Sequence, residues 1–261
     1  MDKDLITRNF SRNAPHYDRH SGIQAGCARR LMELIRGERF HRVLEIGCGT
    51  GIYTRLLREE YPDAEITAVD ISEAMVNTAG EKLRGMGLRL MVADGEHLPL
   101  GRGFDLITSN ASFQWFEDPD AGIRRFSRAL SPERGVMCFS QYGPETFTEF
   151  ENILSESLGK EQWLSSRGFI TGDMLKDIME RYFDILDFRE EHFEASFTSL
   201  LDFLRDMNRS GARGRGLNGK ARLGKRLIED LERTYLDRFG GIIATHHVYF
   251  CKARRAGGAH G

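Results

Sequence analysis

Between residues 43 and 51 the chain reads Val-Leu-Glu-Ile-Gly-Cys-Gly-Thr-Gly. A short apolar run that ends in glycine is a buried strand of the parallel type. Glycines at alternate positions (Gly47, Gly49, Gly51) then let the backbone turn sharply and approach a ligand closely. The helical stretch that follows, 52–60, is closed by Pro62 and presents unpaired N–H groups at its start. Strand, glycine turn and helix in this order demand an α/β fold. Dinucleotide sites use the spacing GxGxxG. Here the spacing is GxGxG, with Glu45 two positions before the first glycine. An acid at that point suits a cationic group such as an α-ammonium rather than a pyrophosphate.

The same rhythm repeats. Residues 66–70, 88–94, 104–110 and 135–140 are further short apolar strands, separated by helices over 72–83 and near 119–130. Ser72 is placed to cap the first of these helices, with Glu73 in its first turn. Strands alternating with helices predict a parallel sheet with right-handed crossovers. After residue 144 helical segments near 145–158, 172–181, 197–208 and 219–238 surround one strand candidate near 183–193. A last strand, 242–253, follows Gly240 and Gly241. Before the core, Ile23, Cys27, Leu31 and Leu34 make one apolar helix face.

The expectation is a single α/β domain over 1–261, with a doubly wound, mostly parallel seven-stranded sheet and a helical insertion before the last strands. Its parts are a helical lid (1–40), a ligand-binding core (41–143), a mostly helical acceptor-side insertion (144–240), a terminal strand (241–253) and a tail (254–261). At 40% hydrophobic and 29% charged residues the chain reads as soluble and globular. A net charge of -2 predicts no general attraction to nucleic acid. No apolar run is long enough to span a membrane, and the start lacks a signal-peptide core, so the expected location is cytoplasmic. Cys27, Cys48, Cys138 and Cys251 stand far apart without metal-ligand spacing, and no metal site is expected.

Polar marks stand at three successive strand ends: Glu45, Asp70 and Asp94, the last in Val-Ala-Asp-Gly-Glu-His-Leu-Pro. Singly, Asp70 could be a helix cap, Asp94 a turn residue and Met75 part of the core. Together they converge on the crevice outside the carboxyl ends of the strands, where such folds bind ligands. The pattern Glu-x-Gly-x-Gly-x-Gly with these acids resembles the class I S-adenosylmethionine-dependent methyltransferases, whose sheet is Rossmann-like. That resemblance implies S-adenosyl-L-methionine as cofactor, leaving as S-adenosyl-L-homocysteine, with no metal. It implies that Glu45, Gly47, Gly49 and Gly51 form the cofactor loop. Asp70 would bond the ribose hydroxyls beside Ile71, Met75 would pack on adenine, and Asp94 and Gly95 would lie near its amino group.

A narrower resemblance runs over nearly the whole chain, from Phe-Ser-Arg-Asn-Ala-Pro-His-Tyr-Asp (10–18) through Ser-Asn-Ala-Ser-Phe-Gln-Trp (109–115) to Thr-His-His-Val-Tyr-Phe (245–250). These segments are similar to the malonyl-acyl-carrier-protein O-methyltransferases of biotin synthesis. By that resemblance Tyr17 and Gln24 belong to a lid, Tyr17 covers the cofactor or the acceptor, and Asn110 lies beside the transferred methyl. The implied partner is an acyl carrier protein bearing a malonyl group, with malonyl-CoA as the other carrier. No nucleic acid or membrane is expected, and the protein is expected to be a monomer.

Methylating a carboxylate needs no general base, because the acceptor is already anionic at neutral pH. It needs alignment, exclusion of water and a cation. Arg205 is the candidate cation, so Tyr17, Asn110 and Arg205 are the candidate catalytic residues. His16, His246 and His247 read as satisfied structural histidines. Arg205, Arg209, Arg213, Arg215, Lys220, Arg222, Lys225 and Arg226 form a basic stretch, either a solvated face or a collar that steers an acidic protein. The alternative acceptor is a free carboxylic acid, or a quinone or sterol carbon, which would need a base. A cofactor-binding regulator without catalysis is the competing class.

Overall fold

The computed structural model describes residues 3–159, 164–209 and 224–256. Its centre is a seven-stranded sheet built from β1 (Arg42–Ile46), β2 (Glu65–Asp70), β3 (Arg89–Val92), β4 (Leu106–Asn110), β5 (Val136–Tyr142), β6 (Phe183–Phe197) and β7 (Ile242–Arg255). The strand order is β3-β2-β1-β4-β5-β7-β6. The first five strands are parallel, and β7 runs antiparallel to both β5 and β6. The order reverses between β1 and β4, which opens a crevice beyond their carboxyl ends.

Alternate residues on each strand feed opposite faces. Val43, Ile66, Leu106, Val136, Val248 and Phe250 pack toward α2 (Gly22–Ile35) and α3 (Ile52–Glu60). Leu44, Val69, Ile107, Met137, Phe139 and Cys251 form the other core layer, with α5 (Pro119–Ala129) and α7 (Gly172–Glu180). Both faces of the central strands are covered, which explains their continuous apolar runs. Helix starts follow local chemistry. Ser72 Oγ accepts the Met75 N–H at 3.3 Å and opens α4 (Glu73–Lys82). Asp118 Oδ1 accepts the Ala121 N–H at 3.0 Å ahead of Pro119.

The amino-terminal segment comprises α1 (Lys3–Asn13), a 3₁₀ turn (Ala14–His20) and α2. The insertion contributes α6 (Thr148–Leu158), α8 (Leu200–Arg209) and α9 (Lys225–Phe239) around a third core of Phe147, Phe150, Phe203, Leu231 and Tyr235. Several boundaries differ from the sequence reading: α6 starts at Thr148 rather than 145, β3 ends at Val92 rather than 94, and three more lie around β6 and β7. β6 continues past residue 193 to Phe197, because Phe193, Ala195 and Phe197 keep a two-residue period and pair with His246, Ala244 and Ile242. α8 therefore starts at Leu200 rather than 197. Arg254 and Arg255 belong to β7 rather than to a tail, since they pair with Val136, Asp184 and Phe183. The expected helix start at 219 and tail end at 257–261 lie outside the described residues. Among the described residues no helix is long and apolar enough to cross a membrane, and all four cysteines are buried free thiols.

Candidate active site

The site begins where β1 runs out. The N–H groups of Gly47 and Cys48 both donate to Val69 O, at 2.8 and 2.9 Å, so the chain folds back against β2. Gly47 has φ +74, and a Cβ there would stand 1.9 Å from Ser112 Oγ. Only glycine fits this turn without strain. The Gly49 N–H donates to Asp70 Oδ2 and the Ser72 N–H to Asp70 Oδ1, each at 2.8 Å. Asp70 is thus a brace for the glycine loop, while Ser72 is the helix cap. Burial raises the Asp70 pKa, and those two N–H groups offset part of the rise.

Above this loop lies a cleft of about 730 Å³. Its walls include Gly47, Gly49, Asp70, Ile71, Met75, Asp94, Gly95, Asn110 and Tyr17. A smaller hollow shares Tyr17, Gly47, Gly49 and Asn110 with it and adds Gln24 and Glu45. Every residue expected at the cofactor lines one of these two spaces except Gly51. That residue instead starts α3 at φ +85, where a Cβ would meet Leu83 Cδ1 at 2.6 Å.

Glu45 is fully buried, and neither carboxylate oxygen has a hydrogen-bond partner among the described residues. Burial pushes its pKa up to about 8; the neighbouring Thr54 hydroxyl, which lacks hydrogen-bond geometry, offsets this slightly, and the Asp70 charge adds to it. A buried, unpaired carboxylate in a ligand-sized hollow is costly unless a cation completes it. A carboxylate acceptor in this position is what an α-ammonium donor requires, so the residues fit the amino-acid end of S-adenosylmethionine.

At the other end Asp94 Oδ2 accepts from Lys3 Nζ at 2.7 Å and from His97 Nδ1 at 2.8 Å, and Oδ1 accepts the Glu96 N–H at 3.0 Å. Burial alone would raise the Asp94 pKa, but Lys3, His97 and the Glu96 N–H together hold it below the usual range. Lys3, Ile6 and Phe10 on α1 also line the cleft. Sequence reasoning missed these three. Their spacing of three and four residues was the available signal, since it puts them on one helix face.

The 3₁₀ turn that carries Tyr17 is latched down through Asp18, which accepts from Thr50 Oγ1 at 2.5 Å and pairs with Lys82. Tyr17 is half-buried beside Phe10 at 6.2 Å between ring centroids. Desolvation first, then the charges of Asp70 and Asp18, raise its pKa and keep the hydroxyl protonated. Asn110 ends β4 with its amide fixed: Nδ2 donates to Gln24 O at 2.9 Å and Oδ1 accepts from Ser140 Oγ at 2.9 Å. Trp115 and Phe116 complete the apolar wall. Ala111, next to Asn110, is held at φ +53, a strained conformation of the kind that gathers at functional sites.

Arg205 lies elsewhere. It is exposed on α8, 3.1 Å from Asp202 Oδ1, and faces a separate hollow of about 740 Å³ with His20, Phe197, Asp202, Asp206 and Arg209. It does not line the cleft or the Glu45 hollow. Of the basic stretch, Arg205, Arg209, Lys225 and Arg226 are exposed; Arg213, Arg215, Lys220 and Arg222 lie outside the described residues. His247 is satisfied, with Nε2 2.8 Å from Glu190 Oε1 and Nδ1 accepting the Glu145 N–H at 3.2 Å. His246 departs from the expectation: it is buried, and its Nδ1 has no partner among the described residues.

Comparison with known proteins places these residues in context. A family model described as a methyltransferase domain matches residues 43–133. A malonyl-[acyl-carrier protein] O-methyltransferase of Ilyobacter polytropus is 33% identical over 257 residues, covering 96% of this chain and 94% of the relative. One from Geobacter sulfurreducens is 32% identical, covering 98% of this chain and 100% of the relative. Among solved structures, the N-methyltransferase NodS of Bradyrhizobium japonicum, in complex with S-adenosyl-L-homocysteine, superposes with a TM-score of 0.54 at 12% identity. It covers 96% of this chain and 98% of that one, a likeness of fold alone.

Proposed function

The chain belongs to the malonyl-[acyl-carrier protein] O-methyltransferase family, and from that premise we propose that it methylates the free carboxylate of a malonyl thioester, with S-adenosylmethionine as methyl donor. By the family resemblance the methyl ester masks a charge, so that fatty-acid synthesis can elongate it toward pimelate and biotin. The malonyl group arrives on an acyl carrier protein, with malonyl-CoA as a second carrier. The enzyme works as a cytoplasmic monomer, without nucleic acid, membrane or metal. The observation that carries the cofactor assignment is the buried, unpartnered Glu45 carboxylate, set in a hollow that shares walls with the cleft of Asp70 and Asp94.

In this reading Glu45 holds the α-ammonium group, Asp70 the ribose hydroxyls and Asp94 the adenine amino group, with Ile71, Met75 and Gly95 around the ring. When bound, S-adenosylmethionine supplies an electrophilic methyl group and leaves as S-adenosylhomocysteine. The acceptor carboxylate is already ionised at neutral pH, so no side chain has to take a proton from it. The chain's contribution is placement and desolvation. Asn110, its amide locked by Gln24 and Ser140, and Tyr17, latched through Asp18, position the acceptor. Phe10, Trp115 and Phe116 keep water from the carboxylate. Arg205 opens onto the separate hollow, so its part as the cation requires that α8 bring it to the cleft, with Asp202 exchanged for the acceptor carboxylate.

The test is transfer of label from S-adenosylmethionine to malonyl carrier protein, malonyl-CoA, a free dicarboxylic acid and a quinone precursor. Base-labile label on a malonyl thioester is expected. Its absence from both thioesters would overturn the acceptor.

A further inference from the structure

Two polar groups at the end of the sheet have no task in the mechanism above. β5 ends at Tyr142, which pairs with Val248 of β7, two residues from His246. Paired residues of antiparallel strands, and residues two apart on one strand, share a sheet face. Tyr142 and His246 therefore point to the same side, and their rings lie 6.0 Å apart. It is the side on which Tyr142 packs with Phe10, Cys27 and Trp115. It is also the carboxyl end of the parallel strands, where Asn110 closes β4 opposite Ser140 of β5.

Both side chains are almost wholly covered, 3% and 5% exposed, yet among the described residues the Tyr142 hydroxyl and His246 Nδ1 have no hydrogen-bond partner. Packing alone would be served better by phenylalanine and leucine, because a buried polar atom without a partner opposes folding. Neither residue lines the cleft itself, but Tyr142 shares a packed cluster with Phe10 and Trp115, which do; two such atoms on one face beside that wall are groups kept for a ligand. Their chemistry restricts which part of it they take. Burial holds the His246 pKa down at about 4, with backbone groups of Ala244 and Phe193 offsetting part of the drop. Burial likewise keeps the Tyr142 hydroxyl protonated, reinforced by the ionisable groups facing it, Cys27, Tyr17 and Asp206. The pair is neutral and has no cation among those neighbours, so it suits a neutral carbonyl and penalises a second carboxylate.

A malonyl thioester carries such a carbonyl one methylene away from the carboxylate that is methylated. Resting on the acceptor proposed above, we infer that Tyr142 and His246 form the polar inner wall of the acyl pocket, where the Tyr142 hydroxyl donates to the thioester carbonyl oxygen and the His246 ring nitrogen supplies the second polar contact. They are specificity-determining residues: they admit the neutral thioester and reject the free dicarboxylate.

The experiment compares wild type, Tyr142→Phe and His246→Leu in steady-state methylation of malonyl carrier protein and of free malonate, with S-adenosylhomocysteine affinity by calorimetry and Tm for each protein. Tyr142→Phe keeps the ring volume and is expected to lower kcat/KM on the thioester by about 10- to 100-fold, the cost of one lost hydrogen bond to a site built for it. Its S-adenosylhomocysteine affinity stays within about twofold of wild type, on the ground that the two sites do not share the hydroxyl. Its Tm holds or rises, because an unpaired buried hydroxyl has gone. His246→Leu is expected to move the same three readouts in the same directions. Wild-type kcat/KM on the thioester in both variants would overturn the assignment. So would a loss matched by falling Tm and falling S-adenosylhomocysteine affinity, which would make the residues packing elements. Wild-type protein that turns over neither malonyl carrier protein nor malonyl-CoA would instead overturn the acceptor reading, and this assignment with it.

Discussion

Glu45→Gln separates what the cofactor loop contributes to folding from what it contributes to binding. The wild-type carboxyl is fully buried with a pKa of about 8. At pH 7, one unit below that value, it is protonated in about nine molecules of ten in the ligand-free protein. In the unfolded chain it ionises near its ordinary 4.5. The folded state therefore binds the extra proton, and stability falls as pH rises from about 4.5 to about 8. The cost is absent below that window and complete above it. At pH 7 the 2.5 units already crossed correspond to about 3 kcal/mol. Glutamine keeps the shape without the charge, so the ligand-free variant should be more stable at pH 7 by up to about 3 kcal/mol, or roughly 6–12 °C in Tm for a domain of this size.

Binding should move the opposite way. A cation beside Glu45 favours its ionised form, so wild type should release about 0.9 proton per S-adenosylhomocysteine bound at pH 7, and the variant close to none. Calorimetry in two buffers of different ionisation enthalpy measures this number directly, and titration of the ligand's own amine is common to both proteins. Loss of a charge-assisted hydrogen bond costs about 1.5–3 kcal/mol. The affinity ratio of wild type to variant should therefore be small at pH 6 and grow to roughly 10- to 150-fold by pH 8.5, once wild type no longer has to shed a proton to bind. Equal proton release by the two proteins, or an affinity ratio flat across pH 6–8.5, would refute the assignment of Glu45 to the ammonium group.

Four other outcomes are expected. Asp70→Ala should weaken cofactor binding by about 1–3 kcal/mol in direct titration, since it removes both the proposed ribose partner and the brace on the Gly49 N–H. Gly47→Ala should destabilise the protein by about 1–3 kcal/mol in denaturant unfolding, through its positive φ and its collision with Ser112; Ser112→Gly in the same chain should relieve only the collision. Lys3→Met should speed cofactor release in stopped-flow displacement by a few-fold, about 0.5–1 kcal/mol, with less dependence on salt than wild type, because it unlatches α1 from Asp94. Arg205→Ala should lower kcat/KM on the malonyl thioester and leave S-adenosylhomocysteine affinity unchanged; identical kinetics would remove Arg205 from the site.

The half of the molecule that lines the cleft was legible because its information is local. Glu45 and Asp70 stand at the ends of their strands, and the glycines follow β1 within a few residues. The boundaries that went astray depend on partners far away in sequence. Phe193, Ala195 and Phe197 become strand only because β7 offers a continuous edge to pair with, and that edge is more than forty residues downstream. Lys3 meets Asp94 across ninety-one positions, and no window of sequence contains both. The histidines show the limit best. His246 and His247 are adjacent and alike in composition, yet alternation along β7 sends one ring to Glu190 and the Glu145 N–H and buries the other against Tyr142 and Phe147. A reading that treats both as structural is right for the one whose partners are supplied by the fold. For the other, the missing partner becomes visible only when the two strands are placed side by side, and there it points to the acceptor, the part of the function that local motifs leave least determined.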